Sequence, residues 1–338
     1  MNTLRKLALV FRSGPTKYLL VMGLTMAAAC TFAAALETTP PTNITSCGTV
    51  IKTPGYYVVR QDLQSTSKTV DCIQIAVPSV NLDLGANLTG LGTDDVSAAG
   101  ISVLNSAKGV QVFLGNVTVQ GFGIGIKVAG SGVTISGRAG NSELPFTVQN
   151  NAAQGILISN ASTVLIDGLI SENNGGAGLE LSGASGVIVQ GSPALTSNGK
   201  YGVWVHSSSG NQFFDFTIAG NQGGGIYVGE SSPAGPGQVP LQRLDAPGNP
   251  GGAGLSPAPI HNRTSNNGGS QNNVFFGGAL QFNLGVGITI GQGDDFNVVT
   301  YVSGSNDEGD DAVDLNGDCT HNSWQFNKFT TVSPACIQ

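Results

Sequence analysis

Hydrophobic and polar residues alternate along this chain in short runs, and between residues 151 and 228 the runs repeat. Asn151 stands four positions before Gly155-Ile156-Leu157-Ile158, and Asn174 four before Gly178-Leu179-Glu180-Leu181. Asn198 precedes Gly202-Val203-Trp204-Val205 in the same way, and Asn221 precedes Gly225-Ile226-Tyr227-Val228. The four glycines fall 23, 24 and 23 residues apart. Alternation with period 2 predicts a strand in each phrase. Further alternating pieces lie between them: Val164-Leu165-Ile166 with Ile170, Val187-Ile188-Val189 with Leu195, and Phe214 and Phe216 with Ile218. A fixed period of this size marks a stacked architecture, in which no repeat buries its apolar side alone. Two or three short strands per turn, with no helix-length segment, predict an all-β chain. The fold expected is a right-handed parallel β-helix solenoid.

The same reading extends outward in both directions. The first full coil is expected at Cys72-Ile73-Gln74-Ile75 and Val80-Asn81-Leu82-Asp83-Leu84. Others begin at Gly100, Gly125, Gly155, Gly178, Gly202, Gly225 and Gly287, and the series ends at Ala312-Val313, giving about nine coils over residues 71–338. Val313 and Leu315 read as inward residues of that last coil. Residues 36–70 form a lead-in and N-terminal β cap, in which Cys47 to Val59 reads as strand, turn, strand over the open edge. Two spacings are irregular. Gly125 to Gly155 spans 30 residues and predicts a small excursion at Ser136–Phe146, whereas Gly225 to Gly287 spans 62 and predicts a long Pro/Gly-rich loop over 229–270. Asn151, Asn174, Asn198, Asn221 and Asn283 form one column at the turns, and Asn211, Asn273, Asn297 and Asn322 form a second. Asn tolerates left-handed turns, and its amide bonds to the same residue one coil away. Both columns therefore read as structural ladders.

Composition adds an address and excludes some partners. Arg5, Lys6, Arg12 and Lys17 precede an apolar stretch, Tyr18 to Ala35, that ends in Ala33-Ala34-Ala35. Residues 1–35 read as a secretory signal peptide, with a retained membrane anchor or lipidation at Cys30 as lesser alternatives. Without the leader the chain keeps 21 acidic residues and a net charge of about −11. Nucleic acid and anionic membranes are excluded as partners by that charge, and no membrane contact is expected after leader cleavage. Four cysteines remain, Cys47 and Cys72 near the start and Cys319 and Cys336 near the end. An even count in an exported chain suggests one disulfide at each end. Thiolate metal ligation lacks any CxxC spacing.

Cys47-Gly48-Thr49-Val50, Pro54-Gly55-Tyr56-Tyr57-Val58, Cys72-Ile73-Gln74-Ile75 and Leu82-Asp83-Leu84 together resemble the opening of secreted right-handed β-helix repeat proteins, within the broad pectin-lyase-like superfamily. Asn322-Ser323-Trp324 with Asn327, Phe329, Pro334 and Cys336 is similar to their closing coil. The resemblance covers roughly residues 44–338. It implies the fold strongly and the chemistry weakly, because lyases, hydrolases, epimerases and adhesins share it.

Candidate chemistry starts with an acidic cluster. Asp294, Asp295, Asp307, Glu308, Asp310, Asp311, Asp314 and Asp318 lie within 25 residues. Carboxylates this dense repel one another unless a cation intervenes, and oxygen-rich clusters suit calcium. Asp307, Asp310, Asp311, Asp314 and Asp318 are the candidate metal ligands, calcium being the one cofactor expected. A solvated acidic turn is the plainer alternative. Gly309-Asp310-Asp311 also resembles the paired aspartates of polygalacturonase-like hydrolases, but the Gly-His-Gly and Arg-x-Lys that complete that pattern are missing. For a polysaccharide-active enzyme, lyase or glycoside hydrolase, the candidate catalytic residues are Asp294, Asp295, Asp310, Asp311, Arg243 and Arg263. Trp204, Tyr227 and His261 are the candidate substrate contacts, the first two being outward aromatics on neighbouring coils. His206, beside Val205, reads as a surface residue. Lacking a complete catalytic set, the sequence favours a secreted or periplasmic non-catalytic scaffold that binds a polysaccharide or cell-surface partner. A calcium-assisted enzyme is the alternative.

Overall fold

The computed structural model describes residues 40–92, 97–139, 142–230, 269–317 and 320–337. The leader, Arg243, His261, Arg263, Asp318 and Cys319 lie outside them, as does all of the long loop except its ends. The described chain is a right-handed β-solenoid. Each full coil contributes one strand to an eleven-stranded sheet and two to an eighteen-stranded sheet that bends at every coil. Every pairing between coils is parallel. Among the described residues the one antiparallel pair is a small ribbon, Arg138–Ala139 against Ser142–Glu143, inside the excursion expected between Gly125 and Gly155.

The eleven-stranded sheet contains the nine predicted coil strands and one more at each end. Thr49–Ile51 pairs in parallel with Ile73–Ile75, and Val332–Ser333 with Ala312–Asp314. Cys47 is bonded to Cys72 across the first two rungs, and Cys336 is also disulfide-bonded. Ile126, Ile156, Leu179, Val203, Ile226 and Ile288 line up in one file and are essentially inaccessible. Each coil thus hides its apolar side against its neighbours. Hydrophobic burial along this file, about 1.5–3 kcal/mol per side chain, is the main source of cohesion.

The asparagine columns have a specific construction. Asn151 Nδ2 donates to Asn174 Oδ1 at 2.9 Å, Asn174 to Asn198 at 3.0 Å, Asn198 to Asn221 at 3.0 Å, and Asn221 to Asn283 at 3.0 Å. The backbone N–H of each donates to the same oxygen of the next. Each amide also donates to a carbonyl in the preceding coil. A Cβ on Gly155, Gly178 or Gly202 would lie 2.7, 2.7 or 3.0 Å from the amide nitrogen of the next coil's asparagine. That is why an Asn and a Gly recur together: the glycine makes room for the amide. The second column, Asn211 to Asn273 to Asn297 to Asn322, is bonded alike.

The last coil corrects one register. Ala312 pairs with Ile288, so Asp311, not Ala312, stands in the glycine file. A one-residue shift exchanges the faces of a strand. Val313 therefore continues the outward file, and Asp314 turns inward behind Ile290.

Candidate functional site

The outward side of the eleven-stranded sheet gathers the described chain's densest mixture of aromatic and ionisable groups. The file Leu157, Glu180, Trp204, Tyr227 runs along the solenoid axis, with His206 paired to Ser182 and Tyr201 to Gly224. Tyr201 stacks on Tyr227 with ring centroids 5.1 Å apart and lies 6.4 Å from Trp204. Trp204 donates from Nε1 to the Gly229 carbonyl at 3.1 Å, which fixes its ring. The Lys200 ammonium sits 5.8 Å from the centre of that ring, within cation–π range. The His206 ring centre lies 4.6 Å from that of Trp204, tilted by 34°.

Glu180 is the hub. Its Oε2 accepts from Gln154 Nε2 at 2.7 Å, and its Oε1 lies 3.1 Å from His206 Nε2. The side chains keep 10% of their surface for Glu180 and 17% for His206. A carboxylate only accepts, so the hydrogen belongs on Nε2 and Nδ1 is left without a partner among the described residues. A base oriented from behind by an acid is an arrangement suited to accepting a proton or a ligand hydroxyl.

Burial pushes the Tyr227 hydroxyl up to about 12, and the negative charges of Asp294 and Glu230 push in the same direction. Its phenol should stay protonated, and a hydrogen-bond donor, at every physiological pH. A spectrophotometric titration is expected to show one tyrosine still neutral well above pH 10; its ionisation with the exposed tyrosines would contradict the burial. Glu230 meanwhile accepts from Ser207 N and Oγ at 2.8 and 2.7 Å, holding the turn beside His206 where the chain departs into 231–268.

Described members of the acidic cluster serve as hydrogen-bond acceptors. Asp307 Oδ1 receives the last rung of the first asparagine ladder, from Asn283 N and Nδ2 at 2.8 and 2.9 Å. Asp314 receives the end of the second, from Asn322 Nδ2 at 3.1 Å, together with Trp324 Nε1 at 3.0 Å. Asp294 Oδ1 accepts from Ser270 N at 2.6 Å, closing a shorter column through Ser208. Asp311 Oδ2 accepts the backbone N–H groups of Thr330 and Thr331. Each ladder runs donor to acceptor along the chain, so its final amide needs an acceptor oxygen, and an aspartate supplies it at each end. Asp295 faces His321 at 3.1 Å, and Asp310 is half-exposed. Among the described residues no three His, Cys, Asp or Glu side chains converge to hold a metal. The five expected calcium ligands accordingly do not fit one ion as far as they are described, Asp318 lying outside.

Of the expected substrate contacts, Trp204 and Tyr227 are brought together and His261 lies outside the described residues. Of the expected catalytic residues, Asp294 and Asp311 are buried acceptors, while Arg243 and Arg263 lie outside. His206, expected as a surface residue, is instead largely covered and paired to Glu180, whereas Glu180, Tyr201 and Gln154 carry no expectation from sequence. Superposing the repeats held the signal, because Glu180 shares a file with Trp204 and Tyr227.

A sequence profile described as right handed beta helix region matches residues 99–239. Among curated proteins none matches by sequence. Solved structures match parts of the chain at low identity. A variant of the periplasmic alginate epimerase AlgG is 14% identical over 74% of this chain and 51% of its own, with a TM-score of 0.45. The mannuronan C-5 epimerase AlgE4 A-module of Azotobacter vinelandii is 11% identical over 81% and 86%, at 0.41. The Agl-KA catalytic domain is 12% identical over 88% and 61%, at 0.45. The chain spans about half the length of the AlgG structure. Fold and profile together fit a right-handed β-helix protein.

Proposed function

We propose that this is an exported scaffold that binds polysaccharide or cell-surface glycan along the outward side of the eleven-stranded sheet. One observation carries the reading: Trp204, Tyr201 and Tyr227 cluster on adjacent coils, flanked by Lys200, His206, Glu180 and Gln154. Trp204, half-buried, offers apolar ring area to the C–H side of a sugar, the buried Tyr201 and Tyr227 back it, and the flanking polar groups offer hydrogen bonds to the sugar hydroxyls. Export is supported by the leader and by a Cys47–Cys72 disulfide, a bond that persists in oxidising compartments.

Trp204→Ala is expected to lower affinity for the bound glycan about tenfold or more, as for a central aromatic anchor. A glycan array followed by calorimetry on the best ligand measures it. Chelation should leave binding unchanged, because Asp307, Asp311 and Asp314 are already engaged. Unaltered affinity in the Trp204 variant would remove the site from this face. A second reading, catalysis on the same face, is favoured by the open Nδ1 of His206 held by Glu180. Product formation that disappears in His206→Gln while binding persists would select it.

A further inference from the structure

At the corner where the eighteen-stranded sheet bends, successive coils place Gly168, Gly191, Asp215, Gly277, Tyr301 and Phe326, all with positive φ between 51° and 81°. Bulky side chains are rare in this conformation, and three of the other coils use glycine. Tyr301 and Phe326 nevertheless sit there with φ of 55° each, and their side chains are 55% and 70% exposed. Phe276, beside the corner and 39% exposed, lies 5.4 Å from Tyr301, which stacks on Phe326 at 5.2 Å. Three rings thus form an apolar strip parallel to the solenoid axis. Asp215 stands at one end of it and Lys328, two residues past Phe326, at the other. Both are exposed, and neither side chain has a hydrogen bond or ion pair among the described residues.

We propose that this corner is a self-association surface that takes a second copy of the chain, side by side with the axes antiparallel. A two-fold contact must be complementary to itself. Here Asp215 stands one coil before Phe276 and Lys328 stands on the coil of Phe326, unlike charges separated by three coil spacings, about 14 Å. Antiparallel alignment sets Asp215 against Lys328 of the second copy at both ends while Phe276 and Tyr301 meet in the middle; parallel alignment would set like against like. A glycan is the poorer occupant, since Tyr301 and Phe326 turn their ring planes toward each other at 15° and offer mainly edges. The corner is a different part of the coil from the eleven-stranded sheet, so pairing leaves the proposed glycan face open.

Sedimentation velocity of the mature chain over a concentration series, at low and high salt, tests this. A monomer–dimer equilibrium weakened by salt is expected. Replacing Tyr301 and Phe326 by glycine, which suits their backbone, should weaken it about tenfold or more with the circular dichroism unchanged. D215K and K328D should each weaken it, and the two together should restore it. A monomer at every concentration overturns the proposal, as does a dimer that the glycine variants or the single charge changes leave intact. Glycan binding lost in the glycine variants of a monomeric chain would give the strip to the ligand and likewise overturn it.

Discussion

Asn198→Ala is expected to destabilise the solenoid by about 3–5 kcal/mol, the range reached when several buried polar groups lose partners at once. Asn198 is fully buried. Its Nδ2 donates to Asn221 Oδ1 and to the Ser171 carbonyl, and its Oδ1 accepts from Asn174 N and Nδ2. Alanine removes the whole amide and leaves the Asn174 N–H and the Ser171 carbonyl unpaired where water does not reach. The void left over Gly178, where a Cβ would come within 2.7 Å of the amide nitrogen, adds to the loss. Urea unfolding measures the loss. Hydrogen exchange in Leu179–Ser182 and Tyr201–His206 should show it locally, since repeats couple to nearest neighbours. Asn160, exposed and left-handed with φ of 52°, supplies the control: Asn160→Gly should change stability by no more than about 0.5 kcal/mol. A cost for Asn198→Ala below about 1 kcal/mol would mean that the ladder follows the fold without supporting it.

The contrast between those two asparagines shows what the sequence carries. Apolar alternation is a direct record of which side of a strand is buried, so the file from Ile126 to Ile288 was readable without coordinates. The Asn–Gly spacing was readable as a turn signal, and it follows from amide packing over a missing Cβ. Acidic residues are ambiguous to the same reading for a physical reason. A carboxylate at the end of a hydrogen-bond ladder and a carboxylate around calcium are both oxygen acceptors, and composition does not distinguish what they accept from. Only the register, in which Asp307 continues the file of Asn283 and Asp314 meets Asn322, does so. Glu180 and His206 were hidden because they lie on different files of successive coils, 26 residues apart. A linear reading sees a lone acid and a lone histidine; stacking makes them a pair.

The ladder's ending carries the second large effect. Asp307→Asn should stabilise the protein at neutral pH by about 1–2 kcal/mol, and it should do so through the oxygen that does not belong to the ladder. Asp307 Oδ2 is buried and has no hydrogen-bond partner. A Cβ on Gly287 would lie 2.5 Å from it, so it occupies the slot that Nδ2 fills in earlier coils. In those coils Nδ2 donates to a carbonyl of the preceding turn, Ile218 in the case of Asn283. By register the carbonyl waiting for position 307 belongs to Leu280, which pairs with Ile218. Two oxygens meet there unless the acid keeps its proton. Burial, and then the charge of Asp311, push the Asp307 carboxyl above its ordinary value of 3.8, while the bonds from Asn283 act the other way. A carboxyl raised on folding stabilises the native state fully below its unfolded value and loses that contribution as pH rises through the folded one. The native protein should therefore lose stability relative to Asp307→Asn as pH climbs through that window, and the difference should level off above it. Denaturation of both proteins across a pH series measures this directly. A variant less stable than the native chain at neutral pH would show that the ionised carboxylate, rather than an amide, is the proper end of the ladder.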